Sequence, residues 1–243
     1  MKLYGLIGYP LSHSFSKKYF DEKFVKEGIQ DAVFEMFSIE RIELLKDVLQ
    51  QNKSLLGLAV TIPYKKEVIP FLDTQSHAVK EIGACNCITI REGKLAGYNT
   101  DVIGFEKSFS KHLNPIHQQA LILGTGGAAL AVEYVLRKLS IPYKFVSRNK
   151  TQGHFIYEEL NEAVMQQYQI IVNTTPLGTY PKVDAAADIP YGLITPNHYL
   201  FDLVYNPAET KFLRLGKEHG ATIENGYEML VLQAEENWKI WNG

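Results

Sequence analysis

The sequence is poor in several things, and each shortage excludes a class of protein. Among 243 residues there are two cysteines, Cys85 and Cys87. Placed one residue apart in an apolar run, they read as small strand side chains pointing the same way, neither a disulfide framework nor a metal-ligand set. No metal is expected. No apolar stretch approaches the roughly 20 residues that a membrane-crossing helix needs. The first eight residues are too short and too interrupted by glycine for a secretion signal, so a reducing cytoplasm is the expected compartment. Neither sign of charge dominates: 25 Lys and Arg stand against 27 Asp and Glu, with no basic run and no acidic tail. Nucleic acid and membrane surfaces are therefore not expected partners. Internal repeats and low-complexity segments are absent from the sequence. What is present is ordinary globular composition, 46% hydrophobic and 21% charged, with chain enough for one large or two small cores. Oligomeric state is not legible.

Hydrophobic periodicity places strands at 2–8, 32–37 and 55–60, with helices at 16–27, ended by Gly28, and at 39–50. A further helix is expected at 65–72. Residues 85–90 and 94–98 read as a hairpin around Glu92-Gly93. A helix at about 102–111 ends at His112-Leu113-Asn114-Pro115. Beyond it a second unit begins, with strands at 119–123, 143–147, 169–172 and 199–204 and a helix at 160–167. Only about a dozen residues, with a turn at 149–153 among them, separate the strand 143–147 from that helix, so one crossover is short. The last helix, 227–241, carries Met229, Leu230, Ala234, Trp238 and Trp241 on an apolar stripe. Repeated strand–helix alternation argues an α/β protein with mostly parallel pairing.

The most informative segment is Gly124-Thr125-Gly126-Gly127-Ala128-Ala129. It follows the apolar run 120–123 and precedes a helical pattern. A strand feeding a glycine turn that opens a helix is built to hold phosphate, because backbone can approach the anion and the helix start offers N–H groups and a positive dipole end. The third glycine of the usual fingerprint is Ala129 here. Where an acid would bond the ribose 2′-hydroxyl of NAD, the chain has Arg148, whose guanidinium suits a 2′-phosphate. This predicts a preference for NADP(H).

Polar residues at element ends supply the remaining candidates. Ser14 and Ser16 can share an anion or simply cap a helix, and His13 beside them can be a base or a structural residue. Lys65 at an expected helix start is unfavourable for the dipole, so helix physics does not explain it, although Lys66 beside it leaves a solvated pair open. Asn86 early in an apolar strand needs a polar partner if buried. Asp101 can be a helix cap. Gln233 sits on an otherwise apolar helix face, where a buried amide must find partners.

Taken in order, these segments resemble the shikimate dehydrogenase family. The resemblance rests on His13-Ser14-Phe15-Ser16, Val60-Thr61-Ile62-Pro63-Tyr64-Lys65, Gly83-Ala84-Cys85-Asn86, Asn99-Thr100-Asp101, the Gly124 turn, Asn173-Thr174-Thr175-Pro176-Leu177-Gly178, Asp202-Leu203-Val204-Tyr205-Asn206-Pro207 and Gly226-Tyr227-Glu228-Met229-Leu230-Val231-Leu232-Gln233. It spans nearly the whole chain. It implies NADPH-dependent, reversible reduction of 3-dehydroshikimate to shikimate, by two α/β domains with the active site in the cleft between them. The expected boundaries are 1–101 plus 227–243 for the substrate domain and 102–226 for a Rossmann-like NADP domain. Lys65 and Asp101 are implied as the catalytic pair. Ser14, Ser16, Thr61, Asn86, Tyr205 and Gln233 are implied substrate ligands. Gly124, Gly126, Gly127 and Ala128 are implied at the pyrophosphate, Arg148 at the 2′-phosphate, and Asn173, Thr174, Leu203 and Gly226 on the nicotinamide side.

The chain departs from the family in places. Lys17 stands where proline is usual and Ala59 where asparagine is usual. Ser147-Arg148-Asn149 replaces Asn-Arg-Thr, and Gln152 takes a later basic position, for which Lys150 is a substitute. Two rival readings follow: a quinate/shikimate dehydrogenase using NAD, and a catalytically silent ligand-binding relative. Retention of Lys65 and Asp101 argues against silence.

Overall fold

A computed structural model describes residues 1–11, 14–151 and 153–243. His13 and Gln152 lie outside the described residues. In chain order the elements are β1 (Lys2–Gly8), α1 (Phe15–Glu27), β2 (Ala32–Ser38), α2 (Leu45–Gln51), β3 (Leu55–Val60), β4 (Thr74–Gln75), α3 (His77–Ile82), β5 (Cys87–Arg91), β6 (Lys94–Tyr98), α4 (Asp101–Ser110), β7 (Ala120–Leu123), α5 (Gly127–Lys138), β8 (Tyr143–Ser147), β9 (Phe155–Ile156), α6 (Glu162–Gln167), β10 (Ile170–Asn173), β11 (Tyr199–Asp202), α7 (Lys211–Glu218), β12 (Thr222–Asn225) and α8 (Tyr227–Asn242). They form two compact units, Met1–Thr100 with Gln233–Gly243, and Asp101–Leu232. Asp101 and the first turn and a half of α8 thus go with the second unit, where the sequence reading placed them in the first.

The first unit is a six-stranded sheet in the order β2-β1-β3-β5-β6-β4. β2, β1 and β3 run parallel, β5 is antiparallel to β3 and β6, and Glu92 and Gly93 turn the β5–β6 hairpin at positive φ. Alternation along the strands splits its core in two. Ile7, Leu58, Val60 and Ile88 pack on one face, and Tyr4, Ala59 and Cys87 pack on the other with Phe20, Phe34 and Trp241. Ser14 caps α1 and Gly28, at φ 67°, ends it in the left-handed conformation expected of a C-terminal glycine.

Three expectations fail here. Cys85 and Cys87 do not share a face: Cys85 packs with Leu58 and Ile88, Cys87 with Tyr4 and Trp241. β5 begins only at Cys87, so period-two alternation does not reach back to Cys85. Residues 39–50 start as a 3₁₀ turn, Ile42–Leu44, before α2. Residues 65–72 form no α-helix but turns and a 3₁₀ segment, Ile69–Phe71. The carbonyl of Lys65 accepts from Cys85 N at 2.7 Å, and Pro70 has no N–H to give. The dipole argument for Lys65 falls with that helix.

The second unit is a wholly parallel sheet in the order β12-β11-β10-β7-β8-β9. Read from β9, this is the 3-2-1-4-5-6 order of doubly wound nucleotide-binding folds, reversing between β7 and β10. Both faces are covered, which accounts for the unbroken apolar strands. Leu121, Leu123, Ile171 and Leu200 meet Phe212 and Leu213 of α7 on one face. On the other, Phe105 and Phe109 of α4 lie against Phe201 and Tyr199. β8 reaches β9 without a helix between them, the short crossover the spacing suggested. β4, β9, β12, α3 and α7 were not expected from the sequence.

Candidate active site

Gly124 leaves β7 at φ 99°, and a Cβ there would lie 3.0 Å from both Thr174 Oγ1 and Thr175 Cγ2. The positive φ calls for glycine, and the two threonine side chains leave little room for a Cβ. The turn is pinned on each side: Gly124 N donates to Val146 O at 2.9 Å, and Thr174 bonds Leu123 O through N at 3.0 Å and Oγ1 at 2.6 Å. Gly126 then caps α5, and no side chain closes the helix start. A Cβ on Gly126 or Gly127 would meet nothing within 4 Å, so open space lies over the exposed residues Thr125 to Ala128. Ala129, in place of the third glycine, is fully buried.

A cavity of about 620 Å³ opens at this reversal point, lined by Gly124, Thr125, Gly126, Ser147, Arg148, Thr174 and Thr175, and by Tyr157, Glu158 and Asp188. Its size and position suit a dinucleotide, and the α5 terminus, which no side chain caps, and the cradle at Gly126 suit its pyrophosphate. Arg148 stands exposed at the end of β8. Lys150 does not add a second cation, since Glu159 takes its ammonium and is held below the usual carboxylate range mainly by that bond. Glu158 and Asp188 add negative charge instead. Tyr157, Glu158 and Asp188 carried no sequence signal, because they come from irregular segments that only the fold brings to Arg148.

Behind the cavity, the C-terminal ends of β10 and β11 hold a buried polar network. Asp202 Oδ1 accepts from Asn173 Nδ2 at 2.9 Å and from Val204 N at 3.0 Å, and Oδ2 accepts from Thr210 Oγ1 at 2.5 Å. Asn173 Oδ1 in turn accepts from Thr175 N at 3.1 Å and Thr175 Oγ1 at 2.6 Å. Burial pushes the Asp202 carboxyl up to about 6, against the pull of its three donors. Asn173 is fully buried and its amide is engaged in this way, so it supports the cavity turn rather than lining the cavity. Leu203 N bonds Asn173 O at 3.0 Å, and a Cβ on Gly226 would fall 2.2 Å from Leu203 O, which explains the glycine. Tyr205 is exposed just beyond, its phenol pushed up by partial desolvation.

In the first unit, Ser14 Oγ accepts from Lys17 N at 3.4 Å, the capping role, and Ser16 follows half-buried in the first turn of α1. Lys17 is paired with Asp21 at 2.7 Å. Thr61 follows β3, its N donating to Ile7 O at 3.0 Å. Lys65 is half-buried while Lys66 is exposed. Ala59, the departure from asparagine, is 5% exposed in the aromatic-rich core. Asn86 is buried and does find the polar partner its burial demands: its Nδ2 donates to Thr100 Oγ1 at 3.0 Å and its Oδ1 accepts from Thr100 N at 2.7 Å. Gln233, also buried, accepts from Asn237 Nδ2 at 3.4 Å. Thr100 and Asn237 were missed from the sequence, although Asn237 lies one helical turn beyond Gln233. Asp101 opens the second unit as the first residue of α4 rather than its cap.

The parallel sheet, its glycine turn at the reversal point and the cavity there define a dinucleotide-binding α/β protein carrying a second α/β unit. Known proteins narrow this further. The family described as Shikimate dehydrogenase substrate binding domain matches residues 6–88. The shikimate dehydrogenase (NADP(+)) of Clostridium beijerinckii is 39% identical over 256 residues, covering 99% of this chain and 92% of that protein. That of Aquifex aeolicus is 38% identical over 252 residues, covering 100% and 91%. The crystal structure of the Thermus thermophilus enzyme in complex with NADP(H) and shikimate superposes with a TM-score of 0.87 at 27% identity, over 100% of this chain and 94% of that one. The chain belongs to the shikimate dehydrogenase family. Among the described residues no helix is long and apolar enough to cross a membrane.

Proposed function

We propose that this protein is an NADP-dependent shikimate dehydrogenase, reversibly reducing 3-dehydroshikimate to shikimate in the cytoplasm, on the route to aromatic amino acids. The observation that carries the reading is the cavity bounded by the Gly124 turn and Arg148, in a chain of this family. Bound NADPH supplies a hydride from C4 of its nicotinamide. The backbone of Gly124, Gly126, Gly127 and Ala128 holds its pyrophosphate, and Arg148 pairs with its 2′-phosphate. Thr174, Leu203 and Gly226 flank the nicotinamide, and Asn173 steadies them.

Lys65 and Asp101 are the catalytic pair. As the substrate ketone becomes an alkoxide, the Lys65 ammonium stabilises the charge and delivers the proton, while Asp101 orients the lysine and holds an adjacent hydroxyl. Ser14 and Ser16 bind the carboxylate. Thr61, Asn86, Tyr205 and Gln233 read the hydroxyls.

Purified protein mixed with shikimate and either NADP+ or NAD+ tests this by the rise in reduced-nicotinamide absorbance. Turnover of shikimate with NADP+ is expected. No turnover with either cofactor would leave a silent binding relative, and turnover of quinate with NAD+ in preference would shift the assignment to the quinate-using branch.

A further inference from the structure

Four buried polar side chains of the first unit form one chain, Asn86, Thr100, Asn237 and Gln233, exposed by 3%, 0%, 1% and 7%. Its hydrogen-bond directions can be worked out from one end. The backbone N–H of Thr100 can only donate, and it lies 2.7 Å from Asn86 Oδ1, so that atom is the oxygen and Asn86 Nδ2 faces Thr100 Oγ1 at 3.0 Å. The threonine hydroxyl, accepting there, has one proton to place. Asn237 Oδ1 lies at 2.6 Å and Asn86 Oδ1 at 3.2 Å. A separation of 2.6 Å is short for an N–H donor and ordinary for O–H to oxygen, so the proton goes to Asn237 and the nearer atom of that amide is its oxygen. Asn237 Nδ2 therefore points along α8 to Gln233, 3.4 Å away. Two NH2 groups cannot face each other, so Gln233 must turn Oε1 inward and direct its Nε2 elsewhere.

We infer that Asn237 is a positioning residue that sets the amide polarity of Gln233, so that Gln233 meets the substrate as a hydrogen-bond donor to an oxygen lone pair. This rests on the functional reading above. Its consequence is chemical selectivity. The site recognises a hydroxyl or ketone oxygen at that position as an acceptor, and the direction is imposed from a backbone N–H three side chains away. Because every member is buried, a reversed amide cannot be repaired by water.

Two substitutions separate this relay from a packing role. Asn237→Asp keeps the shape and, assayed at a pH high enough to ionise the buried carboxyl, replaces the donor with an acceptor, which forces Gln233 to turn its NH2 inward. Asn237→Ala removes the group and lets Gln233 choose. The relay predicts that shikimate KM rises about tenfold in Asn237→Asp and only about threefold in Asn237→Ala, the range one neutral hydrogen bond spans, while NADP+ KM stays within about twofold. Packing alone predicts a lowered melting temperature in both variants, from the cavity in one and the buried charge in the other, with shikimate KM unchanged in the folded protein. An aspartate variant with wild-type shikimate KM, or one less affected than the alanine variant, overturns the inference. If the aspartate variant does not fold, an unchanged shikimate KM in Asn237→Ala overturns it alone. The side-chain amide NMR resonances of Gln233, assigned with Gln233→Leu, must also move in either variant of the free protein. That readout stands even if wild-type protein does not oxidise shikimate, in which case the functional reading falls separately.

Discussion

At the scale of single residues, the chemistry rests on few groups, and each can be removed. Lys65→Ala is expected to lower kcat by roughly 10²–10⁴, the worth of a general acid–base group, with a much smaller change in shikimate KM. Steady-state kinetics checks this, and a rise in KM with kcat intact would make Lys65 a binding residue only. The case for Lys65 is narrower than the sequence suggested. The helix that made it anomalous does not form, and what separates it from Lys66 is its partial burial. Arg148 was legible, because a strand end beyond a glycine turn is where the ribose is read. Its surroundings were not. The sequence offers no way to see that Glu159 occupies Lys150 or that Glu158 and Asp188 line the same cavity. A guanidinium beside carboxylates holds a 2′-phosphate less firmly than one among cations, so the NADP+ preference should be modest. Arg148→Ala should abolish it, and the ratio of kcat/KM for NADP+ and NAD+ measures this directly. An unchanged ratio would remove Arg148 from the site.

At the scale of elements, β10 and β11 are locked at their C-terminal ends by a buried carboxylate, and this has a pH signature. The Asp202 carboxyl sits near 6 in the fold against an ordinary 3.8. Between those values the folded state binds more protons than the unfolded chain. Stability therefore falls as pH rises through this window, and the contribution present at low pH is gone above about 6. Asp202→Asn removes the titration while keeping the shape. From pH 7 to pH 5 the stability difference between wild type and variant should move by about 1 kcal/mol in favour of wild type, or a few degrees in melting temperature. Parallel behaviour of the two proteins would show that Asp202 does not titrate there. Elements with clear boundary residues were readable, as α1 shows between Ser14 and Gly28, whereas α7, amphipathic but short, was not. Short elements such as β9 and α3 were not, because two to six residues carry too little pattern and are held by tertiary pairing. The network itself was unreadable for a similar reason. Asn173 and Asp202 each end a strand, and only parallel pairing of β10 with β11 sets them side by side.

At the scale of the whole molecule, the chain closes its first unit with its last residues. Gln233–Gly243 belongs with Met1–Thr100, and the anchor is Trp241, 1% exposed, stacked on Tyr4 at 5.2 Å and donating from Nε1 to Ile88 O at 3.0 Å. The family resemblance implied that residues 227–243 belong with the first domain, and the strand that receives Trp241 was the hidden part. That strand is β3, at Gly57: a Cβ there would fall 2.3 Å from the indole Cδ1. Glycine weakens a strand interior, so its presence records the close approach of the ring. This gives a coupled prediction. Trp241→Ala should destabilise by about 3–5 kcal/mol through the lost ring and its cavity. Gly57→Ala should cost about 1–3 kcal/mol by overpacking a ring that has no flexible end to move aside. Together they should cost at least about 1 kcal/mol less than the sum, because the methyl group has no indole left to strike. Denaturant unfolding followed by far-UV circular dichroism measures the cycle, since one variant lacks one of only two tryptophans. Additivity within about 0.5 kcal/mol would mean that Gly57 and Trp241 do not share this contact, and the C-terminal segment would then owe its place to its other contacts, among them those with Tyr4, Phe20, Ile88 and Thr100.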